Sequence, residues 1–290
     1  MKVTSDWHIH SANSCDGASM KISDMPVIIS KKGISDFGIT DHLNTYYNLP
    51  DIKNSRKDFD MLDNICGMHF GVEVSCVSEW ELNELSVKYY EKPVWGIRRG
   101  GPACAKPAIC LREEDILEFK IEYVVGGTHW PLYVPFERDA IIKDYHRQNM
   151  FLAVHPLVDI VAHPWWWMGR WQDPDGKYRR EPWFDNFRKI PTSMHDEFAS
   201  ALVESGTAVE INAWACLLNK QYPEDFVSRY VEYLAYHKER NVKFSFGSDT
   251  HDATYLVDWE KVEKIIAPLQ LAKQNLWDIT LSKQNKRHRE

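Results

Sequence analysis

Histidine and carboxylate side chains recur in this chain at the ends of short apolar runs, and they are the residue types that bind divalent cations. His8 and His10 close the run at 3–10, His42 follows the run at 35–40, and Glu73 sits in the run at 68–74. His129 follows the run at 121–128, His163 the run at 157–162, and Asp249 and His251 the run at 242–247. A seventh run, 207–212, ends in VEIN. In an extended segment residues two apart point the same way, so Asp6, His8 and His10 share a face and two imidazoles can approach one ion. Glu73, in GVEVS, is a carboxylate inside an apolar run, which is costly unless it is paired or bound to a cation. Each signal alone has a plainer reading. HxH also occurs on surfaces, the His of AHP at 162–164 suits an ordinary loop, Glu73 could face solvent on an edge strand, and Ser248 and Asp249 could open a helix. What argues for one cation site is that all of them fall at the same end of successive runs.

Side chains so far apart in sequence need a scaffold that gathers strand ends. The seven runs alternate with segments that read as helices, which favours a parallel sheet. In a closed parallel barrel the C-terminal strand ends converge on one face. The segment SDMPVIISKKG reads as a helix with Ser23 or Asp24 as cap, Pro26 in the first turn and Gly33 as the stop. YPEDFVSRYVEYLAYHKERN reads as another, starting at Pro223 with two acids and placing Phe226, Val227, Tyr230, Val231 and Leu234 at helical spacing. Further helices are expected at about 137–152, 194–205 and 255–267. Residues 76–120, with KPVWGIRRGGPACAKPAIC between two possible helices, read as an elaborated connection. The chain of 290 residues, 44% hydrophobic and 27% charged, suits a single α/β domain spanning 1–290.

The motifs carrying these residues resemble those of the polymerase and histidinol phosphatase (PHP) family. They are DWHIHSANSCDG at the start, ITDH at 39–42, GVE at 71–73, GGTH at 126–129, VAHP at 161–164, VEIN at 209–212 and GSDTH at 247–251. The resemblance implies a distorted (β/α)7, TIM-barrel-like fold with a metal site of two or three ions at the C-terminal ends of the strands. His8, His10, Glu73 and Asp249 would hold the first ion, and Asp16, His42 and His251 the second. Glu73 would bridge to a third, bound by His129 and His163. Mixed His and carboxylate ligands suit Zn, Mn or Fe, and availability often chooses among them. Asp6, Asp41 and Glu210 are expected behind the ligands, orienting the histidines.

The activity implied is a metal-dependent phosphoesterase, a histidinol-phosphatase-like hydrolase of a phosphorylated small metabolite. A metal-bridging hydroxide would attack phosphorus, with Asp249, His251 and Glu73 at the reacting centre. A phosphodiester or cyclic phosphate substrate is a variant of the same chemistry. An amidohydrolase-type metal hydrolase is the alternative of a different class, although it would want a bridging modified Lys where Glu73 already serves. A non-catalytic binding protein would have no need of all nine ligands. An Arg is expected on the phosphate: Arg170 in HPWWWMGRW first, then Arg98 and Arg99. Trp165, Trp166, Trp167, Trp171 and Trp183 crowd the same loop, with Trp130 and Trp214 after other strands. They line a pocket for a ring-bearing or sugar-like group or pack beneath long loops.

Composition narrows the partners. A net charge of −7 argues against broad capture of nucleic acid. No run of about 18 apolar residues suggests a membrane span, and the start has no leader pattern, so a cytoplasmic location is expected. Six scattered cysteines without a CxxC pair read as reduced thiols. Nothing in the sequence speaks to oligomeric state.

Overall fold

The apolar runs become the strands of one parallel sheet. The computed structural model describes residues 1–280 except 64, 92, 168–170, 173–177 and 180–186, with backbone alone at 171, 172, 178 and 179. Among the described residues the sheet has eight strands: seven follow one another around it in chain order, β1 Ser5–Ile9, β2 Asp36–Ile39, β3 Met68–Ser75, β4 Tyr123–Gly127, β5 Ile160–Ala162, β6 Ala208–Asn212 and β7 Phe244–Gly247, and the short strand His42–Leu43 pairs with β3, setting His42 beside Glu73. The sheet curls until its two edges meet at the C-terminal ends. There Asp249 N donates to His8 O (2.8 Å), His10 N donates to Thr250 O (3.1 Å), and Ile9 pairs with Thr250. The architecture is therefore the expected TIM-barrel-like α/β fold built on seven strands.

Among the described residues eight α-helices accompany the strands: α1 Met25–Ser30, α2 Leu49–Asp60, α3 Glu79–Val87, α4 Glu113–Phe119, α5 Arg138–Val154, α6 Thr192–Ser205, α7 Glu224–Glu239 and α8 Trp259–Ile266. Helix α7 follows its sequence pattern, with Glu224 and Asp225 in the first turn and Phe226, Tyr230, Val231 and Leu234 buried. The first helix is shorter than expected. A 3-10 turn at Ile22–Asp24 precedes it and Asp24 makes no side-chain cap. Helix α8 starts at Trp259 rather than 255, because Tyr255 takes a left-handed backbone (φ 53°) and Asp258 caps the helix by accepting from Lys261 N at 3.0 Å. Helix α2 is mostly polar, with Ile52 buried and Leu49 and Phe59 packed partly against the core on the same side.

The connection at 76–120 is structured. It holds α3, α4 and a short antiparallel ladder between Val77–Ser78 and Pro107–Ala108. Inside the barrel, Trp7, Tyr123, Val125, Ile160, Ala162, Ala208, Trp277 and Ile279 form one apolar cluster beneath the strand ends. The Tyr123 hydroxyl donates to Trp7 O at 3.0 Å, satisfying the one polar group of that layer's central ring. No helix among the described residues is long and apolar enough to cross a membrane.

Candidate metal centre

All nine expected ligands converge at the C-terminal rim, and Glu73 is at their centre. It projects from β3, fully buried, and its two oxygens face different partners. Oε2 lies 3.2 Å from His8 Nε2, 3.5 Å from His10 Nε2 and 2.8 Å from His42 Nδ1. Oε1 lies 3.1 Å from His129 Nε2 and 3.2 Å from His163 Nε2. Asp249 Oδ1 stands 3.4 Å from His10 Nε2 and 3.7 Å from His8 Nε2. Asp16 Oδ2 meets His42 Nε2 at 3.1 Å and also contacts His251 Nε2. Among the described residues, three sets have donor atoms close enough to share an ion: His8, His10 and Asp249; His10, Asp16, His42 and His251; and His42, Glu73 and His129. Relative to the grouping implied by resemblance, His10 and His42 each stand between two sets.

The hydrogen bonds behind the rings decide which nitrogen keeps its lone pair. His8 Nδ1 is bound to Glu210 Oε1 at 2.7 Å, which leaves Nε2 as an acceptor. That nitrogen lies 3.2 Å from His10 Nε2. His251 Nδ1 is bound to the Asp249 carbonyl at 2.9 Å, again freeing Nε2. Ser75 Oγ donates to Asn44 Oδ1, so His129 Nδ1 donates to Ser75 Oγ at 2.8 Å, and its Nε2 is left facing Glu73. Acceptors thus crowd one another in a buried space. Asp16 Oδ2, His42 Nδ1 and Glu73 Oε2 are buried and make no hydrogen bond among the described residues. Lone pairs collected around common points are the donor set that a divalent cation satisfies, so these residues fit the metal ions the fold implies.

Electrostatics agrees with that fit. Burial pushes Glu73 and Asp249 toward neutrality, but His8 and the neighbouring imidazoles outweigh it and hold both carboxyls well below the usual range. Asp16 is likewise held far down by His251 and His42 against its own burial. Burial, then His251 and His42, bring His10 down to about 3, and burial brings His129 down to about 4. Burial also pulls on His42, but Glu73 and Asp16 offset it and raise that imidazole to about 10.

The local backbone is shaped for this crowding. Asp249 (φ 55°) and His163 (φ 28°) occupy the left-handed region, where non-glycine residues are strained, as recurs where side chains are aimed at a site. Gly127, at the end of β4, leaves the room the ligands use. A Cβ there would stand 2.7 Å from His129 Cε1, 2.9 Å from Glu73 Oε1 and 3.0 Å from His163 Cε1. In β1 the pairing register with β2 slips between Asp6 and Ile9. This bulge breaks the simple alternation, as bulges do when they re-aim a side chain. Trp7 therefore packs inside the barrel, and Asp6 turns away from the ligands to accept from Ser248 N (2.8 Å) and Tyr255 OH (2.6 Å). Burial raises Asp6 to about 6 against those bonds.

Of the three carboxylates expected to orient histidines, only Glu210 bonds a ligand ring. Asp6 braces β1 against the β7 loop. Asp41 accepts from Ser11 N and Ser11 Oγ, both at 2.6 Å, and from Ser55 Oγ, which pins the turn after His10. Two orienting residues carry no sequence signal of that role. Ser75 has been described. Asn212 Nδ2 donates to Glu210 Oε2 (2.9 Å) and Asp249 Oδ2 (3.3 Å), while its Oδ1 accepts from Ala215 N (2.7 Å). The VEIN motif was the only available pointer to Asn212.

The substrate-side residues are more dispersed. Arg98 is exposed and its guanidinium lies over the rings of Trp130 (4.6 Å) and Trp95 (5.7 Å). Trp130 adjoins His129, with ring centroids 5.6 Å apart, and Trp95 adjoins His42 at 6.2 Å. Arg99 is exposed on the same connection. Arg170 and Trp183 lie outside the described residues, as does the side chain of Trp171. Trp165 and Trp167 are wholly buried and belong to the core, whereas Trp166 and Trp214 adjoin ligand histidines.

No family profile matches the chain, and no curated protein sequence matches it either. Solved structures do. The histidinol phosphate phosphatase of Lactococcus lactis, solved with zinc, L-histidinol and phosphate, superposes with a TM-score of 0.57 at 15% identity, over 93% of this chain and 94% of that one. HisK of Listeria monocytogenes superposes with a TM-score of 0.57 at 11% identity, over 87% of this chain and 97% of that one. The chain therefore has the fold of the histidinol phosphate phosphatases, whose PHP-family motifs its sequence resembles.

Proposed function

We propose that this chain is a metal-dependent phosphoesterase that hydrolyses a phosphate monoester of a small metabolite, using the cluster around Glu73. The observation that carries the reading is the division of Glu73: one carboxylate oxygen faces His8, His10 and His42, and the other faces His129 and His163. A carboxylate shared in this way suits adjacent cations held a few ångströms apart. His8, His10, Glu73 and Asp249 would hold one ion, Asp16, His42 and His251 a second, and Glu73 with His129 and His163 a third. Divalent ions bound there supply a low-pKa water and neutralise phosphoryl oxygens. Zinc, present in the Lactococcus structure, is one ion these ligands accept, with manganese and iron as the others.

The chain's own groups prepare the reaction. Glu210, Ser75 and the Asp249 carbonyl orient the His8, His129 and His251 rings with Nε2 toward the cluster, and the proton that Glu73 and Asp16 stabilise on His42 would leave as a cation binds. Asp16, Glu73 and Asp249 remain ionised and offset the charge of the ions. Arg98, steered over Trp130 beside His129, supplies a cation toward the phosphoryl group, and Arg99 and Arg170 are further candidates. None of the seven barrel strands carries a lysine, the residue an amidohydrolase-type centre would use as its bridge. The test is release of inorganic phosphate from a panel of monoesters and diesters, with metal content measured on the same sample. Metal-dependent release from monoesters is expected. A metal-loaded protein inert toward every phosphate ester sinks the proposal.

A further inference from the structure

Residues 93–101 of the elaborated connection carry Arg98 and reach two loops of the rim, the one that follows His42 and the one that follows His129. On the first side Thr45 Oγ1 donates to Pro93 O at 2.7 Å and Asn44 Nδ2 donates to Val94 O at 3.2 Å. On the second side Gly101 lies so close to the Tyr133 ring that a Cβ would run into it, and the Arg98 guanidinium lies over Trp130 at 4.6 Å. Arg98 is exposed, and a cation–π contact at an exposed site is weak. Where its guanidinium stands is therefore decided by what holds the backbone beside it.

That hold comes from a carboxylate outside the metal cluster. Glu81, in the first turn of α3, is completely buried, a costly place for a carboxyl unless its oxygens are bonded. Oε1 accepts from the backbone N of Ile97, the residue before Arg98, and Oε2 accepts from Tyr133 OH at 2.8 Å. One carboxylate thus ties the Arg98 segment to the loop that carries Trp130. Both partners are shaped for it. Gly96 takes a left-handed backbone (φ 74°), and a Cβ there would run into Glu81 Oε1, so the chain passes the carboxylate only as glycine. Tyr133 is also left-handed (φ 60°), a strained conformation that persists only when the surroundings fix it. Its hydroxyl meets Ser78 Oγ at 3.2 Å as well as Glu81, and its ring packs edge-on against Trp80 with centroids 5.2 Å apart. None of the hydrogen bonds of Glu81 among the described residues reaches a candidate metal ligand.

Building on the phosphoesterase reading and on Arg98 as its phosphate cation, we propose that Glu81 is a positioning residue for the substrate. By holding Ile97 N and Tyr133 OH together it sets the Arg98 guanidinium over Trp130, facing the phosphoryl group. Glu81 itself touches neither substrate nor metal and acts through Arg98.

The experiment is a double-mutant cycle on metal-loaded protein with Glu81→Ala, Arg98→Ala and the pair, together with Glu81→Gln, metal content being measured on every sample. Phosphate release from a monoester that wild type hydrolyses gives kcat and KM, and calorimetry with inorganic phosphate gives a Kd without turnover. Arg98→Ala is expected to raise KM and the phosphate Kd by about 10- to 100-fold, the effect of losing hydrogen bonds between charged groups. Glu81→Ala should raise both by about tenfold, which a small misplacement of a binding group suffices to cause, with kcat and metal content close to wild type. In the Arg98→Ala background it should add nothing. Glu81→Gln keeps an acceptor for Ile97 N and offers an amide to Tyr133 OH, so it should restore most of the affinity. Gly96→Ala, which pushes the segment off Glu81, should match Glu81→Ala and takes its place in the cycle if that variant does not fold. A Glu81→Ala effect undiminished in the absence of Arg98, a Gln variant as impaired as the Ala variant, metal lost from Glu81→Ala, or a phosphate Kd unmoved in either single Ala variant overturns the proposal. If no ester is turned over, the phosphoesterase reading fails separately and the calorimetric cycle alone decides the role of Glu81. Wild type that binds no phosphate overturns that role too.

Discussion

At the scale of single residues, the site works through groups one bond removed from the ligands. Glu210 holds the His8 ring at 2.7 Å and Ser75 holds the His129 ring at 2.8 Å. Glu210→Gln and Ser75→Ala should each weaken metal affinity by about 10- to 100-fold, the usual effect of removing such a partner. Competition titration against a chelator measures this, and unchanged affinity in both variants would contradict the tautomer argument. Gly127→Ala is expected to be worse, because its Cβ meets His129, Glu73 and His163 together. Metal content after dialysis should fall further in that variant than in Ser75→Ala. Asp249→Ala removes a ligand outright and should abolish phosphate release from any ester the wild type hydrolyses. The residues that converge around Glu73 were legible in the sequence because cation-binding chemistry uses few residue types. Their orienting partners were less so, since Ser and Asn serve many ordinary roles.

Elements were legible where one face had a single environment. Helix α7 combines acids at its start with an apolar stripe, and both survive in the structure. Helix α2 is mostly polar, and its narrow apolar face of Leu49, Ile52 and Phe59 is a weaker signal than the stripe of α7. The alternation that places Asp6 with His8 and His10 fails at the β1 bulge, because a register slip is a property of the pair of strands rather than of one of them. Capping gives predictions at this scale. Asp258→Ala removes the acceptor for Lys261 N in α8 and should cost about 1 kcal/mol of unfolding free energy in urea titrations. Asn212→Ala removes a cap of the same kind but also the Asp249 and Glu210 bonds. It should therefore lower metal affinity as well as stability, and a loss of stability alone would show that its bonds to the ligand loop are idle.

At the scale of the whole molecule, the proposed centre would link folding to cation binding, because its candidate ligands come from both ends of the chain. Chelation should lower the midpoint of thermal unfolding and added divalent metal restore it, by about 2.7 kcal/mol for each site at a hundredfold excess over its Kd. Acid should act separately through the helical layer. His237 of α7 is buried, neither ring nitrogen has a hydrogen-bond partner among the described residues, and burial followed by His195 lowers its pKa to about 3. Burial also lowers His195 to about 4. Above an unfolded pKa of about 6.5 neither ring affects stability. Below it the unfolded chain binds protons that the native state refuses, so stability falls as pH drops from about 6.5 toward 3. His237→Leu should flatten that acid slope by about one proton in denaturant melts at pH 7 and pH 5 on metal-loaded protein. An unchanged slope would assign the acid sensitivity elsewhere.

The sequence by itself determined the seven apolar runs, the turn of six of them toward a candidate His, Asp or Glu, and the mixed His and carboxylate chemistry, because these depend on residue type and local spacing. Only the tertiary structure decided which oxygen of Glu73 faces which histidines, which ring nitrogen of His8 keeps its lone pair, and which tryptophans stay open at the rim. Those are relations between residues as far apart as His8 and Glu210, separated by 202 positions, and no local period carries them. They exist only once the sheet has curled and its first and last strands have met.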